Sequence, residues 1–100
     1  MALYTIVMIK TFRDKNAERL FNRIPVKRFR DIERAARRKL EMVDAAEILD
    51  NLRYPPGNRL ELLKGDRKGQ HSIRVNDQYR ICFVCGDDNN AYDVQVCDYH

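Results

Sequence analysis

Long apolar runs are missing from this chain. The longest, Leu3 to Ile9, is interrupted by Tyr4 and Thr5, whereas a bilayer span needs roughly 20 consecutive apolar residues. No basic start or small-residue cleavage site accompanies it, which argues against a secretory signal and predicts a cytoplasmic protein without membrane attachment. Cysteine is scarce as well. Cys82, Cys85 and Cys97 are an odd number without secreted context, so they read as reduced thiols rather than a disulfide framework. Histidine occurs only at positions 71 and 100, so no metal motif with two close histidines exists. Cys82 and Cys85 lie three apart in a strand pattern, which points them to opposite faces and predicts packed cysteines instead of a metal pair. No cofactor is expected. A Gly-x-x-x-x-Gly-Lys phosphate loop, a Gly-x-Gly-x-x-Gly turn and a Gly-x-Ser-x-Gly elbow are also absent, so nucleotide hydrolysis and serine chemistry lose their usual signatures.

What is present is an ordinary core-forming composition, 44% hydrophobic and 34% charged, in a length that suits one domain over residues 1–100. The net charge of +4 is unevenly spread. Residues 10–39 carry 12 basic against 4 acidic side chains, residues 40–63 carry 2 against 5, residues 64–82 carry 5 against 2, and residues 83–100 carry 0 against 4. Alternating basic and acidic blocks fit either a solvated surface or a surface that meets a polyanion, where positive potential steers phosphates and counterion release adds affinity.

The order of elements predicts an α+β fold. A first strand fits Tyr4 to Phe12, and a short helix from about Asp14 to Phe21 turns Ala17, Leu20 and Phe21 inward. Pro25 suits a first helical turn, and Val26, Phe29, Ile32, Ala36, Leu40 and Val43 recur at helical spacing. Asp44 with Glu47 suggests a capping box opening a further helix to about Leu52, with Ile48 and Leu49 on its buried side. Four strand patterns follow, Arg59 to Leu63, Gln70 to Asn76, Gln78 to Cys85 and Ala91 to Cys97, which together make an antiparallel meander packed on the helices. Alternation puts Ile73, Val75, Ile81, Phe83, Val94 and Val96 on the helix-covered face. Ser72, Arg74, Arg80, Cys82, Gln95, Cys97 and Tyr99 then point to a face that no helix covers.

That second face holds the candidate chemistry. Pairing Ile73 with Ile81 across a three-residue turn sets Arg74 opposite Arg80, a like-charge pair that either an anionic ligand or acidic neighbours must compensate. Arg30, Arg34, Arg37 and Arg38, with Lys27, fall on one helix flank, as a solvated stripe or a nucleic-acid footprint. The final Asp98, Tyr99 and His100 combine a carboxylate, a phenol and an imidazole beside the arginines. These are parts for acid-base cleavage of a phosphodiester, with arginines holding the phosphate.

Pro55-Pro56-Gly57-Asn58-Arg59-Leu60, Leu63-Lys64-Gly65-Asp66-Arg67, the run from Ser72 to Phe83, and Ala91-Tyr92-Asp93-Val94 through Asp98-Tyr99-His100 resemble the HigB toxins of the RelE superfamily. The resemblance spans Met8 to His100. Family members begin at a Met-Ile-Lys-[Ser/Thr]-Phe motif, here Met8 to Phe12, which leaves Met1 to Val7 as an N-terminal extension. The resemblance implies a RelE-like fold and a bacterial type II toxin that enters the A site of the 70S ribosome and cuts mRNA without a metal, leaving a 2′,3′-cyclic phosphate. It also implies a helix-turn-helix antitoxin of the HigA kind, through which operator DNA is met indirectly. Carried over by position, Lys64 and Arg80 would hold the scissile phosphate, and Asp98, Tyr99 and His100 would supply acid-base and orienting groups. Arg67 and Arg74 join Arg30, Arg34, Arg37 and Arg38 as expected RNA contacts. Some relatives carry histidine where Glu61 stands, which puts a catalytic role for position 61 in question unless Glu61 substitutes as proton acceptor. Tryptophan is common where His71 and Tyr79 stand, which suits a structural His71. The alternative on the same fold is a non-enzymatic inhibitor like the gyrase-poisoning ParE toxins.

Overall fold

The helical half begins at Asp14, whose carboxylate accepts from the Asn16 backbone N–H at 2.9 Å and so satisfies a donor that the first turn leaves free. Helix α1 then runs Lys15–Phe21, with Ala17 and Leu20 buried as their spacing predicts. These and the following details come from a computed structural model, in which residues 9–98 are described. The expected strand before Ile9 lies outside those residues.

The apolar repeat after Pro25 does not form one continuous α-helix. Lys27–Ile32 is a 3-10 turn, irregular at Phe29 (φ −109°, ψ 21°), and helix α2 follows at Glu33–Ala45. Val26, Phe29, Ile32, Ala36, Leu40 and Val43 are nevertheless all buried. The irregular turn changes the path of the chain without changing which face meets the sheet.

The predicted helix from Asp44 to Leu52 is replaced by a 3-10 turn at Leu49–Arg53. Asp44 is committed elsewhere, accepting from the Ile9 backbone N–H at 3.0 Å, while Asn51 Oδ1 takes the N–H groups of Glu47 and Ile48 at 3.0 and 3.2 Å. Leu52 is buried, but Ile48 is 49% exposed rather than turned inward.

The sheet is an antiparallel meander in the order β1 (Glu61–Leu62), β2 (His71–Arg74), β3 (Tyr79–Cys85) and β4 (Ala91–Asp98). The first strand is shorter than predicted, since Arg59 adopts a left-handed conformation at φ 46° before it. On the opposite edge, Ile9 and Phe12 bridge in parallel to Ala91 and Val94, so the N-terminal segment lies beside β4. The β2–β3 turn is set by Asn76, whose Oδ1 accepts from the Gln78 and Tyr79 N–H groups at 2.9 and 2.7 Å. It fixes the predicted register, with Ile73 opposite Ile81 and Arg74 opposite Arg80.

The helices cover one face of this sheet, where Ile73, Val75, Ile81, Phe83, Val94 and Val96 meet Leu20, Phe29, Leu40 and Val43. Along β4 the alternation is interrupted by a bulge. Asp93 sits at φ 54° and the pairing with β3 shifts between Cys82 and Val84, so Ala91 and Val94, three apart, are both buried in this core. The other face is not open, contrary to the sequence expectation. The chain between Arg59 and Gln70 folds across it, and Leu63 closes a small second core with Cys82 and Cys97.

Candidate active site

Arg80 is the centre of the second face. Alternation directs it away from the helices, as predicted, yet it is buried at 8% exposure rather than projecting into solvent. A buried guanidinium needs acceptors on several of its five donors. Its Nε donates to Ser72 Oγ at 2.6 Å, its Nη2 donates to the Arg59 carbonyl at 2.7 Å, and the same Nη2 lies 3.4 Å from Glu61 Oε1. Each partner has a structural reason. Ser72 stands on β2 and pairs with Glu61 of β1, which puts both on the arginine's face. The left-handed turn at Arg59 aims its carbonyl inward.

The like-charge pair predicted from the register is therefore compensated by acids of the chain itself. Glu61 faces Arg80, and Arg74 forms an ion pair with Asp77 in the adjoining turn. Sequence reasoning left Glu61 in question, and the structure sets it at the heart of the cluster. The signal was the short β1–β2 pairing, which strand periodicity over two residues cannot reveal.

Lys64 is exposed and opens a tight turn, Gly65–Arg67, in which Gly65 takes φ 66° at a position where a side chain would be strained. The turn closes through Leu63 N–H to the Gln70 carbonyl at 2.8 Å. Arg67 is half-buried and donates to Gln70 Oε1 at 3.4 Å. Its charge and that of Arg80 both act on the Cys82 thiol, whose hydrogen bond with Cys97 and whose burial hold it protonated well above the usual thiol range. Cys82, Cys85 and Cys97 are all free, and Cys82 and Cys85 stand on opposite faces as expected.

Asp98 closes β4 opposite Tyr79, where its Oδ2 accepts from Gln78 Nε2 at 3.1 Å. The register puts it at the same end of the sheet as Arg80 but on the helix-side face, since Cys97 is the residue paired with Arg80. Tyr99 and His100 lie outside the described residues.

The helix stripe divides. Arg30, Arg34 and Arg38 are exposed, whereas Arg37 turns into the seam between helices, donating from Nε to the Leu20 carbonyl at 2.9 Å. Arg37 is thus a structural clasp rather than part of an open footprint. Burial lowers the Lys39 pKa, and the charges of Arg38 and Arg74 lower it further. Lys39 itself donates to Asn58 Oδ1 at 2.6 Å.

A cavity of about 350 Å³ opens at the β1 edge, lined by Ile48, Leu60, Glu61, Leu62 and His71 among others. The His71 ring stacks on Phe83 at 6.3 Å, and burial lowers its pKa. Its Nδ1 is buried without a hydrogen-bond partner among the described residues, so the neutral ring acts as packing.

A carboxylate held against a buried arginine, on a face flanked by lysine and further arginines, suits proton transfer beside a bound phosphate. Comparison with known proteins finds toxins. Toxin HigB-1 of Vibrio cholerae serotype O1 is 49% identical over 80 residues, covering 76% of this chain and 82% of that protein. An uncharacterized protein of Haemophilus influenzae is 43% identical over 63 residues, covering 63% of this chain and 60% of its own length. In fold, the chain is similar to one in the heterotetrameric YoeB–YefM toxin–antitoxin complex of Staphylococcus aureus, with a TM-score of 0.54 at 18% identity over 94% of this chain and 97% of that one. Residues 10–100 match the model of the HigB-like toxins, described as RelE-like toxins of type II toxin–antitoxin systems, and the chain belongs to that family.

Proposed function

We propose that this toxin is an endoribonuclease that cuts mRNA in the ribosomal A site and so arrests translation in the cytoplasm. The observation that carries the reading is the Glu61–Arg80 pair at 3.4 Å, with Ser72 and the Arg59 carbonyl fixing the guanidinium. Glu61 takes the proton of a ribose 2′-hydroxyl. The 2′-oxygen attacks the adjacent phosphorus, the bond to the 5′-oxygen breaks, and a 2′,3′-cyclic phosphate remains. Arg80 and Lys64 offset the charge that builds on the phosphoryl oxygens. Tyr99 and His100, which follow β4 in the sequence, supply the acid that protonates the departing 5′-oxygen, and Asp98, the last residue of β4, orients it from the end of the sheet. No step in this scheme calls for a metal ion.

The exposed arginines of α2 and its preceding turn, with Arg74, meet ribosomal RNA in the same reading. A helix-turn-helix antitoxin of the HigA kind neutralises the toxin and links it to operator DNA. End-mapping of mRNA on programmed 70S ribosomes with purified toxin tests the proposal. Position-specific cuts within the A-site codon, bearing cyclic phosphate ends, are expected. Growth arrest with intact mRNA and inhibited gyrase would replace this reading with a ParE-like one.

A further inference from the structure

A second concavity, of about 320 Å³, lies on the Arg80 face and is not used by the chemistry above. It is lined by Arg13, Asp66, Arg67, Gln70 and Gln95. The fold gathers these from three distant parts of the sequence. Arg13 follows the N-terminal segment, and its backbone N–H donates to the Val94 carbonyl at 3.0 Å, which brings it beside β4. Gln95 pairs across the sheet with Cys82, and so projects on the arginine-bearing face. Arg67 and Gln70 come from the turn that crosses that face.

The charges of this basin are out of balance. Among the described residues neither Arg13 nor Arg67 has a carboxylate within ion-pair distance, although every other arginine lining this sheet face is paired: Arg74 with Asp77 and Arg80 with Glu61. Both guanidiniums act by their charge on the same Cys97 thiol, as the Asp14 carboxylate does with opposite sign. Asp66, which lines the same hollow, is exposed and forms no ion pair among the described residues. Two guanidiniums with a single exposed carboxylate beside them leave the hollow a net positive charge, which a bound anion would offset. The two carboxamides beside them offer paired donors and acceptors of the kind that read base edges.

We propose that this basin is a subsite for a nucleotide of the mRNA flanking the cut, with Arg13 and Arg67 gripping its phosphate and Gln95 and Gln70 meeting its base. The inference rests on the nuclease reading and adds to it residues that set where along the message the enzyme cuts. Arg13 is suited to a test because it is exposed and makes no side-chain hydrogen bond among the described residues, so its loss leaves the fold intact.

The experiment compares wild type, Arg13→Gln, Arg13→Lys and Gln95→Ala in single-turnover cleavage on 70S ribosomes carrying messages that differ in one nucleotide beside the cut. Binding to ribosomes without mRNA is measured in parallel. Arg13→Gln is expected to raise the half-saturating toxin concentration for cleavage about tenfold or more. It should also flatten the log–log salt dependence by about 0.7 for the lost single-strand phosphate contact. Arg13→Lys restores the salt slope but only part of the affinity. Gln95→Ala changes the preference among flanking nucleotides, and binding to mRNA-free ribosomes stays at the wild-type value for all variants. Wild type that cuts while the variants match it overturns the subsite alone. An equal loss on mRNA-free ribosomes also overturns it, assigning the anion to ribosomal RNA. Wild type that leaves mRNA uncut overturns the nuclease reading and the subsite together.

Discussion

The two faces of the sheet are organised by different physics. On the helix face, residues as large as Phe29, Phe83, Leu20 and Leu40 are almost wholly buried, and stability there follows from volume and close packing. On the other face the core shrinks to Leu63, Cys82 and Cys97, and the remaining buried groups, Ser72 and Arg80, are polar. There the ordering principle is that each desolvated donor finds an acceptor. The difference explains how a small protein keeps charged machinery close to its centre: one face supplies the folding free energy while the other is held by hydrogen bonds.

The largest effects expected are on chemistry at the polar face. Glu61→Gln should lower single-turnover cleavage about 100- to 10,000-fold, the usual cost of losing a general base, with a smaller fall in melting temperature because the buried Arg80 keeps Ser72 and the Arg59 carbonyl but loses its counter-charge. A variant that cleaves normally would remove Glu61 from the mechanism. Arg80→Ala should lower both quantities. Cleavage drops at least about 100-fold, and the fold loses about 2–4 kcal/mol because Ser72, Glu61 and the Arg59 carbonyl are left without their partner. Here the structure reverses the expectation from strand alternation alone, which predicts an exposed side chain and unchanged stability. A native-like melting temperature for Arg80→Ala would return the arginine to solvent and undo the contrast between the faces.

The same deletion made on each face sharpens the comparison. Leu40→Ala, deep in the helix-side core, should cost about 4–5 kcal/mol, and Leu63→Ala, in a thin cover that can settle onto the sheet, about 2–3 kcal/mol. Chemical denaturation of the two variants measures this, and equal losses would show the second core to be as rigid as the first. Arg37→Ala should cost about 1 kcal/mol by removing the side-chain hydrogen bond to the Leu20 carbonyl, which keeps the Arg23 backbone N–H, while ribosome association changes less than for charge reversal at Arg34.

The smallest effect is a pH dependence from His71. Burial lowers its pKa, so the folded state binds fewer protons than the unfolded state once the pH drops below the ordinary histidine value. Its neutral form fits the fold at all higher pH. Stability should therefore be full above about pH 6.5 and decline as the pH falls through that value towards the lowered one. Urea titrations across this range should give a shallower decline for His71→Phe than for wild type.

Much of this architecture is legible in the sequence because local spacing carries it. The six apolar positions from Val26 to Val43 find the core even though the chain starts that stretch as a 3-10 turn, since steps of three and four serve either geometry. The Asn76–Gln78 turn fixes the β2–β3 register, and the opposition of Arg74 and Arg80 follows. What the sequence conceals are contacts between distant segments. Asp44 reads as a helix cap, but Ile9, 35 residues away, takes its carboxylate. Leu63 reads as one more strand residue, and only the crossing of its segment over Cys82 and Cys97 makes it a lid. Arg80 reads as exposed for the same reason, and the stripe on α2 loses Arg37 to a helix that packs from elsewhere in the chain.

The bulge at Asp93 makes the make-up of the site a matter of counting. On either side of it the odd and even positions of β4 exchange roles: Ala91 faces the helices before it, and Val94 and Val96 face them after it. Remove that one residue and the alternation would become regular with no change of sides: Val94 and Val96 would stay with Ala91 on the helix face, and Gln95 and Cys97 on the other, provided the pairing of Ala91 with Cys85 held. Strand length is thus a parity code, in which the single extra residue lets β4 run one position longer than the stretch of β3 it pairs with and still keep both faces matched to it.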